Sequence, residues 1–234
     1  MKNLKNISPD YPRIPHLAKD ISNMTHDDIV VETDIVFPIT GWVQEKIDGS
    51  NMGISWFNDG PVLRNREHIL QKGYIKRNTP AKLQFRPAWN FIHEHEDDIK
   101  FISDKVMSPV TIYGELMIAR HSIEYNRLTD WFIAYDIYSV EDRKFLAPNV
   151  VENLLSKTDI KYIKPYKVSF NNIQEVVEYS ERPSDYTNGI REGIVIKISD
   201  DDKFVTQSFK IVNKYFIRRE DFNELGIIKN RIIK

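Results

Sequence analysis

The sequence predicts an α+β protein in which antiparallel sheets are flanked by helices. Three observations support this prediction: short runs of β-branched and aromatic residues, a tight-turn signal between two such runs, and amphipathic helical segments elsewhere. The chain contains no internal repeat, no Gly/Ser-rich linker and no low-complexity tract. We therefore expect residues 1–234 to form a single domain, with no separate C-terminal domain.

The predicted strands begin after an irregular, proline-punctuated segment that covers residues 1–40. Trp42 to Ile47 and Met52 to Phe57 have strand composition, and Asn58-Asp59-Gly60 supplies a hairpin turn from the second of them into Val62-Leu63. Further strands are predicted at Val110–Met117, Phe132–Tyr138, Ile194–Ile196 and Phe204–Val212.

Helical patterns occupy the remaining segments. Residues 80–100 combine bulky apolar side chains with dense charge, which predicts an amphipathic helix that begins near Pro87. Val150–Leu155 and Ile173–Tyr179 are each preceded by Asn, a residue that favours helix starts. The C-terminal segment is predicted to be helical and basic.

The composition excludes several classes of protein. With 41% apolar and 29% charged residues the chain can form a core, so global disorder is excluded. It has no cysteine, which rules out disulfides, Cys-ligated zinc and thiol catalysis. No apolar run approaches the ~18 residues of a membrane span. The N-terminus also lacks the apolar core of a signal peptide. These features predict a cytoplasmic protein without a membrane partner.

The charge is unevenly distributed along the chain. The formal net charge is -1, yet seven basic residues face one acid between Arg64 and Arg86. Eight basic residues face three acids between Lys203 and the end of the chain. Such runs are usually solvated faces. If the two basic windows shared one surface, they would suit a phosphate-rich partner.

Five short segments carry residues that suit nucleotide chemistry. Taken singly, each is more typical of scaffold, for example an Asp-Gly turn, a core Phe or a lysine at a strand end. In chain order they are Glu45-Lys46-Ile47-Asp48-Gly49-Ser50-Asn51, Ile112-Tyr113-Gly114-Glu115, Trp131-Phe132-Ile133-Ala134-Tyr135-Asp136, Glu192-Gly193-Ile194-Val195-Ile196-Lys197 and Phe209-Lys210-Ile211-Val212.

In this order the segments resemble motifs I, III, IIIa, IV and V of the covalent nucleotidyltransferases, which comprise ATP-dependent RNA ligases, DNA ligases and mRNA capping enzymes. The resemblance runs from about Trp42 to Asn213 and implies the ATP-grasp-like catalytic domain of a ligase. Asn51 stands where DNA ligases and capping enzymes usually carry Arg, as in RNA ligases similar to the phage RNA ligase 2 group. Tyr11–Leu17 also resembles the start of small RNA-ligase-domain proteins. An RNA ligase is therefore favoured.

The resemblance implies roles at the phosphates of ATP. Lys46 would attack the α-phosphate to give a lysyl–AMP phosphoramidate and pyrophosphate. Lys210 would contact the α-phosphate and help keep Lys46 unprotonated, and Lys197 would add to this positive field. Glu192 would help to hold a divalent metal, Mg²⁺ or Mn²⁺, through water.

The resemblance also implies contacts to the nucleoside. Glu115 would accept hydrogen bonds from the ribose hydroxyls, and Phe132 would stack on the adenine. Glu45 would offer its backbone to the adenine edge, and Asn51 belongs to the same ATP-binding set. Arg64 matches the motif Ia basic residue, with Arg66 as the alternative. Asp48, Asp136, His93, His95 and His121 are interpreted as structural.

The expected function is ATP-dependent joining of 3′-OH and 5′-phosphate RNA ends through lysyl–AMP and an adenylated 5′ end. The expected partners are ATP and RNA ends, and the sequence leaves open whether these ends lie in a nicked duplex or in single strands. The sequence departs from the phage RNA ligase 2 group at Val212, where a second motif V lysine is usual, and Lys214 could substitute for it. The alternatives are a self-adenylylating or ATP-binding module that does not ligate, and a DNA nick ligase.

Overall fold

A computed structural model describes residues 8–18, 22–25, 28–31, 36–57, 60–70, 85–200, 203–217 and 228–233. Within these ranges the chain forms ten strands and four helices. The strands are β1 (Ile39–Lys46), β2 (Ser50–Phe57), β3 (Gly60–Asn65), β4 (Ile69–Leu70), β5 (Val110–Leu116), β6 (Phe132–Ser139), β7 (Lys144–Phe145), β8 (Tyr166–Phe170), β9 (Gly193–Asp200) and β10 (Phe204–Val212). The helices are α1 (Ala88–Glu94), α2 (Glu96–Val106), α3 (Pro148–Leu155) and α4 (Ile173–Ser180).

The strands form two sheets with antiparallel pairing throughout. The six-stranded sheet has the order β4-β3-β2-β5-β6-β7, and the four-stranded sheet has the order β10-β9-β1-β8. β1 lies in the four-stranded sheet and β2 in the six-stranded sheet, so the chain crosses between the sheets at residues 47–49. The predicted α+β class is confirmed.

Each sheet has one apolar face that helices cover. The larger core packs the six-stranded sheet against α1, α2 and α3, through residues such as Ile54, Ile112, Ile92 and Ile102. The smaller core packs the four-stranded sheet around Val176 of α4. Burial of these side chains stabilises the fold at about 25 cal/mol per Å² of apolar surface.

The opposite face of the four-stranded sheet is polar because side chains alternate along its strands. Trp42, Gln44 and Lys46 lie on this face of β1, whereas Val43 belongs to the smaller core. In register, Trp42 pairs with Lys197 of β9 and Gln44 pairs with Val195. We call this surface the polar face of the four-stranded sheet.

An N-terminal segment, here called the strap (residues 8–18, 22–25 and 28–31), lies against the last strand. The amide of Lys210 donates to the Pro15 carbonyl at 2.9 Å, and the amide of Leu17 donates to the Lys210 carbonyl at 3.0 Å. His16 forms parallel bridges with both Lys210 and Val30. The strap therefore extends the four-stranded sheet beyond β10.

Most predicted elements agree with the structure, but the two-residue strands β4 and β7 were not predicted, and three further differences stand out. The helix expected to begin near Pro87 does begin at Ala88, but it is two helices divided at His95 rather than one. Strand β8 was missed; it is a sheet edge in which only Phe170 is buried. The expected C-terminal helix is wrong for residues 228–233, where Lys229 and Ile232 form isolated bridges to Ala119 and Leu128.

Several predicted features fall outside the described residues. These are the turn residues Asn58 and Asp59, most of the basic window between Arg64 and Arg86, and residues 218–227 of the C-terminal segment. Among the described residues, no helix is both long and apolar enough to cross a membrane.

Candidate active site

A cavity of about 240 Å³ lies between the polar face of the four-stranded sheet, strands β5 and β6 of the other sheet, and the strap. Because β1, β9 and β10 are neighbours in register, their alternate side chains face the cavity together. The charged residues that line it include Lys46, Lys197, Lys210, Glu115 and Glu192. The strap contributes Tyr11, Arg13 and Asp28.

Lys46 ends β1, and its ammonium group lies 2.6 Å from Oε1 of Glu192. The side chain of Glu192 is 4% exposed and that of Lys46 is 27% exposed. Burial lowers the pKa of Lys46, but the carboxylates of Glu192 and Glu115 more than offset this, so the pKa is raised overall. The expected lowering of the Lys46 pKa by neighbouring cations is therefore wrong, because the acids dominate its surroundings. Lys46 is protonated in this state of the protein.

Glu115 lies opposite Asn51 in the pairing of β5 with β2. Its Oε2 atom is buried and has no hydrogen-bond partner among the described residues. Burial raises the pKa of Glu115 to about 8, against a smaller opposing effect from Lys46. Glu115 is consequently neutral at pH 7 and can both donate and accept a hydrogen bond.

Lys197 is buried where the two sheets meet. Its ammonium group donates to Oε1 of Gln44 at 2.6 Å, to Oδ1 of Asp136 at 2.7 Å and to the Tyr135 carbonyl at 3.2 Å. Burial lowers the pKa of Lys197, and the Asp136 carboxylate opposes this effect. Tyr11 of the strap donates to the second carboxylate oxygen of Asp136 at 2.6 Å. Lys197 therefore links the two sheets at the floor of the cavity.

Lys210 of β10 lies on the same polar face. Its ammonium group contacts Oδ1 of Asp28 at 2.8 Å, and the two side chains are 18% and 16% exposed. Burial lowers the pKa of Lys210, although Asp28 opposes the shift. Three cavity lysines from three adjacent strands are thus each paired with a carboxylate.

The model of a known protein family matches residues 40–212, about three quarters of the chain, and its description is RNA ligase. The chain belongs to the RNA ligase family. This membership confirms the resemblance seen in the sequence. None of the curated proteins matches the sequence.

Solved structures of an RNA ligase from Naegleria gruberi share the fold. A complex with PPi is 23% identical, with a TM-score of 0.51, over 74% of this chain and 49% of that chain. A lysine-to-alanine mutant with ATP and Mn is 21% identical, with a TM-score of 0.53, over 74% of this chain and 50% of that chain. The present chain thus aligns with about half the length of these ligases.

Two residues expected from RNA ligase motifs do not reach the cavity. Arg64 is fully buried; it donates to the Ser8 carbonyl and pairs with the Asp10 carboxylate. Arg66, the alternative for motif Ia, lines the cavity. The ring of Phe132 is fully buried in the larger core, 5.3 Å from the ring of Phe91.

Of two further expected residues, Glu45 lines the cavity and Asn51 is not among the residues that line it. The Glu45 side chain accepts from the Ser184 hydroxyl at 2.5 Å and from the Asp185 amide at 2.9 Å. Asn51 donates to the Tyr135 hydroxyl at 2.5 Å. Glu45 therefore fixes the loop that begins at Ser184, and Asn51 fixes the orientation of Tyr135.

Tyr135 and Asp28 line the cavity but were not expected to function. Tyr135 lies within the motif IIIa segment three residues after Phe132, and so on the other face of β6. That alternation was visible in the sequence. Asp28 precedes all five motifs and carries no signal of its own.

Lys214 does not replace the missing motif V lysine at the cavity. Its side chain is 56% exposed and its ammonium group lies 3.3 Å from Oε1 of Glu181. Val212 itself lines the cavity. An apolar side chain therefore occupies the position at which the phage RNA ligase 2 group usually has a second lysine.

The cavity contains oxygen donors that suit a divalent cation. Glu192 presents carboxylate oxygens, the ligand type that Mg²⁺ and Mn²⁺ prefer. Glu115 has one buried oxygen without a partner in the described residues and would present a carboxylate after losing its proton. The described residues contain no cluster of three or more His, Cys, Asp or Glu that could hold a metal ion. The donor set fits a metal held by one or two carboxylates together with water and phosphate.

Proposed function

We propose that the protein is an ATP-dependent RNA ligase that joins 3′-OH and 5′-phosphate RNA ends through lysyl–AMP at Lys46 and an adenylated 5′ end. We further propose that residues 1–234 form one adenylyltransferase domain. The observation that carries the proposal is the convergence of Lys46, Lys210 and Glu192 on one cavity in a chain of the RNA ligase family.

In the first step the Lys46 amine attacks the α-phosphorus of ATP. A nitrogen–phosphorus bond forms, the bond from phosphorus to the bridging oxygen of the β-phosphate breaks, and pyrophosphate leaves. The attacking amine must be neutral, so the Lys46 ammonium group first gives up a proton. The Glu192 carboxylate already accepts a hydrogen bond from this group at 2.6 Å, which makes it the nearest proton acceptor.

Negative charge develops on the phosphate oxygens during transfer and needs fixed positive charge around it. Lys210, Arg66 and Arg13 line the cavity and supply that charge from β10, the segment after β3 and the strap. A bound Mg²⁺ or Mn²⁺ ion, held by Glu192 through water, would neutralise phosphate charge and increase the electrophilicity of phosphorus. The Naegleria gruberi structure with ATP and Mn supports this use of a divalent metal.

The nucleoside is assigned to the six-stranded sheet. Tyr135 replaces Phe132 in our proposal as the aromatic ring that stacks on adenine, because Tyr135 lines the cavity and Phe132 does not. Glu115 contacts the ribose hydroxyls, and its neutral carboxyl can donate as well as accept. The backbone of Glu45 remains the proposed contact to the adenine edge, since its side chain is bonded to Ser184 and Asp185.

Covalent labelling tests the first step. Incubation with α-³²P-labelled ATP and Mg²⁺ should label the wild-type protein, and Lys46→Ala should abolish the label. Lys214→Ala is the matched control, because Lys214 is exposed and paired with Glu181, and it should label normally. Labelling that survives Lys46→Ala would contradict the proposal.

The second candidate function is a module that adenylylates itself without sealing RNA. Val212 at the cavity and the outward position of Lys214 favour it, since both reduce the positive charge available for transfer to RNA. Pre-adenylated RNA in a nicked duplex decides between the two. Sealing supports the ligase and eliminates the module. Equal rates with DNA-terminated and RNA-terminated 3′-OH strands would point instead to DNA nick repair.

A further inference from the structure

Asp28 brings a carboxylate from the strap to the cavity lysine of β10. The Asp28 Oδ1 atom lies 2.8 Å from the Lys210 ammonium nitrogen, and less than a fifth of either side chain is exposed. Asp28 lies outside the five motifs, and the proposed function gives it no role. The other two lysine–carboxylate pairs use Glu192 and Asp136, which belong to motif segments.

Other residues of the strap hold the Asp28 carboxylate in place through the oxygen that does not contact Lys210. Its Oδ2 atom accepts from the Thr25 amide at 3.0 Å and from the Thr25 hydroxyl at 2.9 Å. His16 Nε2 lies 3.4 Å from the same oxygen. Burial and the nearby Lys210 lower the pKa of His16 to about 4, so this ring is neutral near pH 7. One carboxylate oxygen is therefore fixed by the strap while the other faces Lys210.

Backbone hydrogen bonds set the position of the strap at Lys210 itself. The Lys210 amide donates to Pro15 and its carbonyl accepts from Leu17, so both polar backbone groups of this residue hold the strap. The adjoining residue His16 donates its amide to the Ile29 carbonyl at 2.7 Å. These backbone bonds join Lys210 to residues 15–17 of the strap, and residue 16 to Ile29 next to Asp28. They therefore fix the position of Asp28 relative to Lys210.

The charged groups around Lys210 come from several elements. Asp28 and His16 face it from the strap, and the positive charges of Lys46 and Arg66 act on it from β1 and from the segment after β3. Burial lowers the pKa of Lys210 and the two cations lower it further, whereas Asp28 raises it. An ammonium group has three N–H donors, so the bond to Asp28 leaves donors for phosphate.

We propose that Asp28 is a positioning residue for adenylyl transfer, which holds the Lys210 ammonium group towards the phosphate that Lys46 attacks. This inference rests on the proposed function. Asp28 is an anion beside an anion-binding site, so it weakens the binding of ATP in the ground state. Its benefit lies in the transition state, where a fixed cation stabilises the charge that develops.

Asp28→Asn tests the proposal because it should change the rate constant of adenylylation without weakening the binding of ATP. In single-turnover adenylylation with labelled ATP we expect the rate constant to fall about tenfold or more, by comparison with the removal of one preorganised transition-state contact. The ATP concentration at half-maximal rate should stay the same or fall. The alkaline limb of the rate should also move to lower pH, because Lys210 loses the carboxylate that favours its charged form.

Two variants distinguish a role of Asp28 in positioning Lys210 from a role in packing the strap. In a Lys210→Arg background, Asp28→Asn should not move the alkaline limb, because a guanidinium group does not titrate in this range. Asn23→Ala is the matched strap control: it removes the 2.6 Å bond that the side-chain Nδ2 of Asn23 donates to the Phe216 carbonyl, and it leaves the Asp28–Lys210 pair intact. Its rate should stay within about twofold of wild type. A loss with Asn23→Ala equal to that with Asp28→Asn, or a faster rate with Asp28→Asn, would overturn the proposal.

A second measurement does not depend on activity. In ¹H–¹⁵N spectra of the lysine ammonium groups, the peak that Lys210→Arg removes assigns Lys210. That peak should shift or broaden in Asp28→Asn and stay in place in Asn23→Ala. If the wild-type protein takes up no label from ATP, the proposed function fails, and the spectra still decide whether Asp28 holds Lys210. An unchanged peak in Asp28→Asn would overturn the inference even in an active enzyme.

Discussion

The two sheets contribute different chemistry to the cavity between them. The four-stranded sheet presents Lys46, Lys197 and Lys210 from three adjacent strands, so its polar face supplies positive charge. The six-stranded sheet presents Tyr135 and Glu115, an aromatic ring and a neutral carboxyl group. In the proposed function, phosphates are therefore handled by one sheet and the nucleoside by the other.

The strongest test of this division compares the two aromatic residues of β6. Phe132→Ala removes a fully buried ring from the larger core, so the free energy of unfolding should fall by about 3–5 kcal/mol. Tyr135→Ala should cost less stability, because Tyr135 borders the cavity, and should raise the ATP concentration needed for half-maximal adenylylation. Urea unfolding and labelling rates measure the two effects. The division fails if Tyr135→Ala leaves ATP dependence unchanged while Phe132→Leu, with its smaller stability loss, alters it.

The next test concerns the contact between the sheets. Lys197→Met leaves Asp136 buried without its cation, which should cost about 3 kcal/mol in the free energy of unfolding. Lys210→Met breaks a more exposed pair with Asp28 and should cost about 1 kcal/mol or less. Both values follow from urea unfolding. Similar losses in the free energy of unfolding for the two variants would show that Lys197 contributes no more to stability than Lys210 does.

A further test uses the pH dependence of the free energy of unfolding, which reports on the nucleoside side of the cavity. The unfolded chain loses the Glu115 proton near pH 4.5, whereas the folded protein keeps it until about pH 8. Between these values the folded state binds the extra proton, so the stability contributed by this group falls as pH rises, by no more than about 5 kcal/mol. Glu115→Gln should flatten the melting temperature across this window. An equally steep profile in Glu115→Gln would assign the effect to other groups.

The sequence predicted the parts of the cavity that lie on strands, because a motif at a strand end has a defined register. Lys46, Glu192 and Lys210 reach one cavity for this reason. The sequence alone could not decide whether Phe132 or Tyr135 faces the cavity. The alternation of side chains separates the two faces of β6 but does not show which face meets the other sheet. Strand β8 was missed for a different reason: it is an edge strand with a single buried residue, so its sequence lacks the alternation of apolar and polar residues that marks a strand.

Contacts with the strap were beyond prediction because they join residues far apart in the chain. Arg64 is withdrawn from the cavity by Ser8 and Asp10, more than fifty positions away. Asp28 meets Lys210 across 182 positions. Neither pairing leaves a local pattern, so the choice between Arg64 and Arg66 required the folded structure.

The three lysine–carboxylate pairs also bear on how the protein responds to ionic strength. Dissolved salt strongly screens charges that face water and screens buried charge pairs much less. Here Glu192, Asp136 and Asp28 already serve as counterions within the fold. The phosphates of ATP would therefore meet lysines whose charge is already largely balanced within the fold. The affinity for ATP should consequently vary less with salt concentration than three positive charges in a phosphate site would suggest.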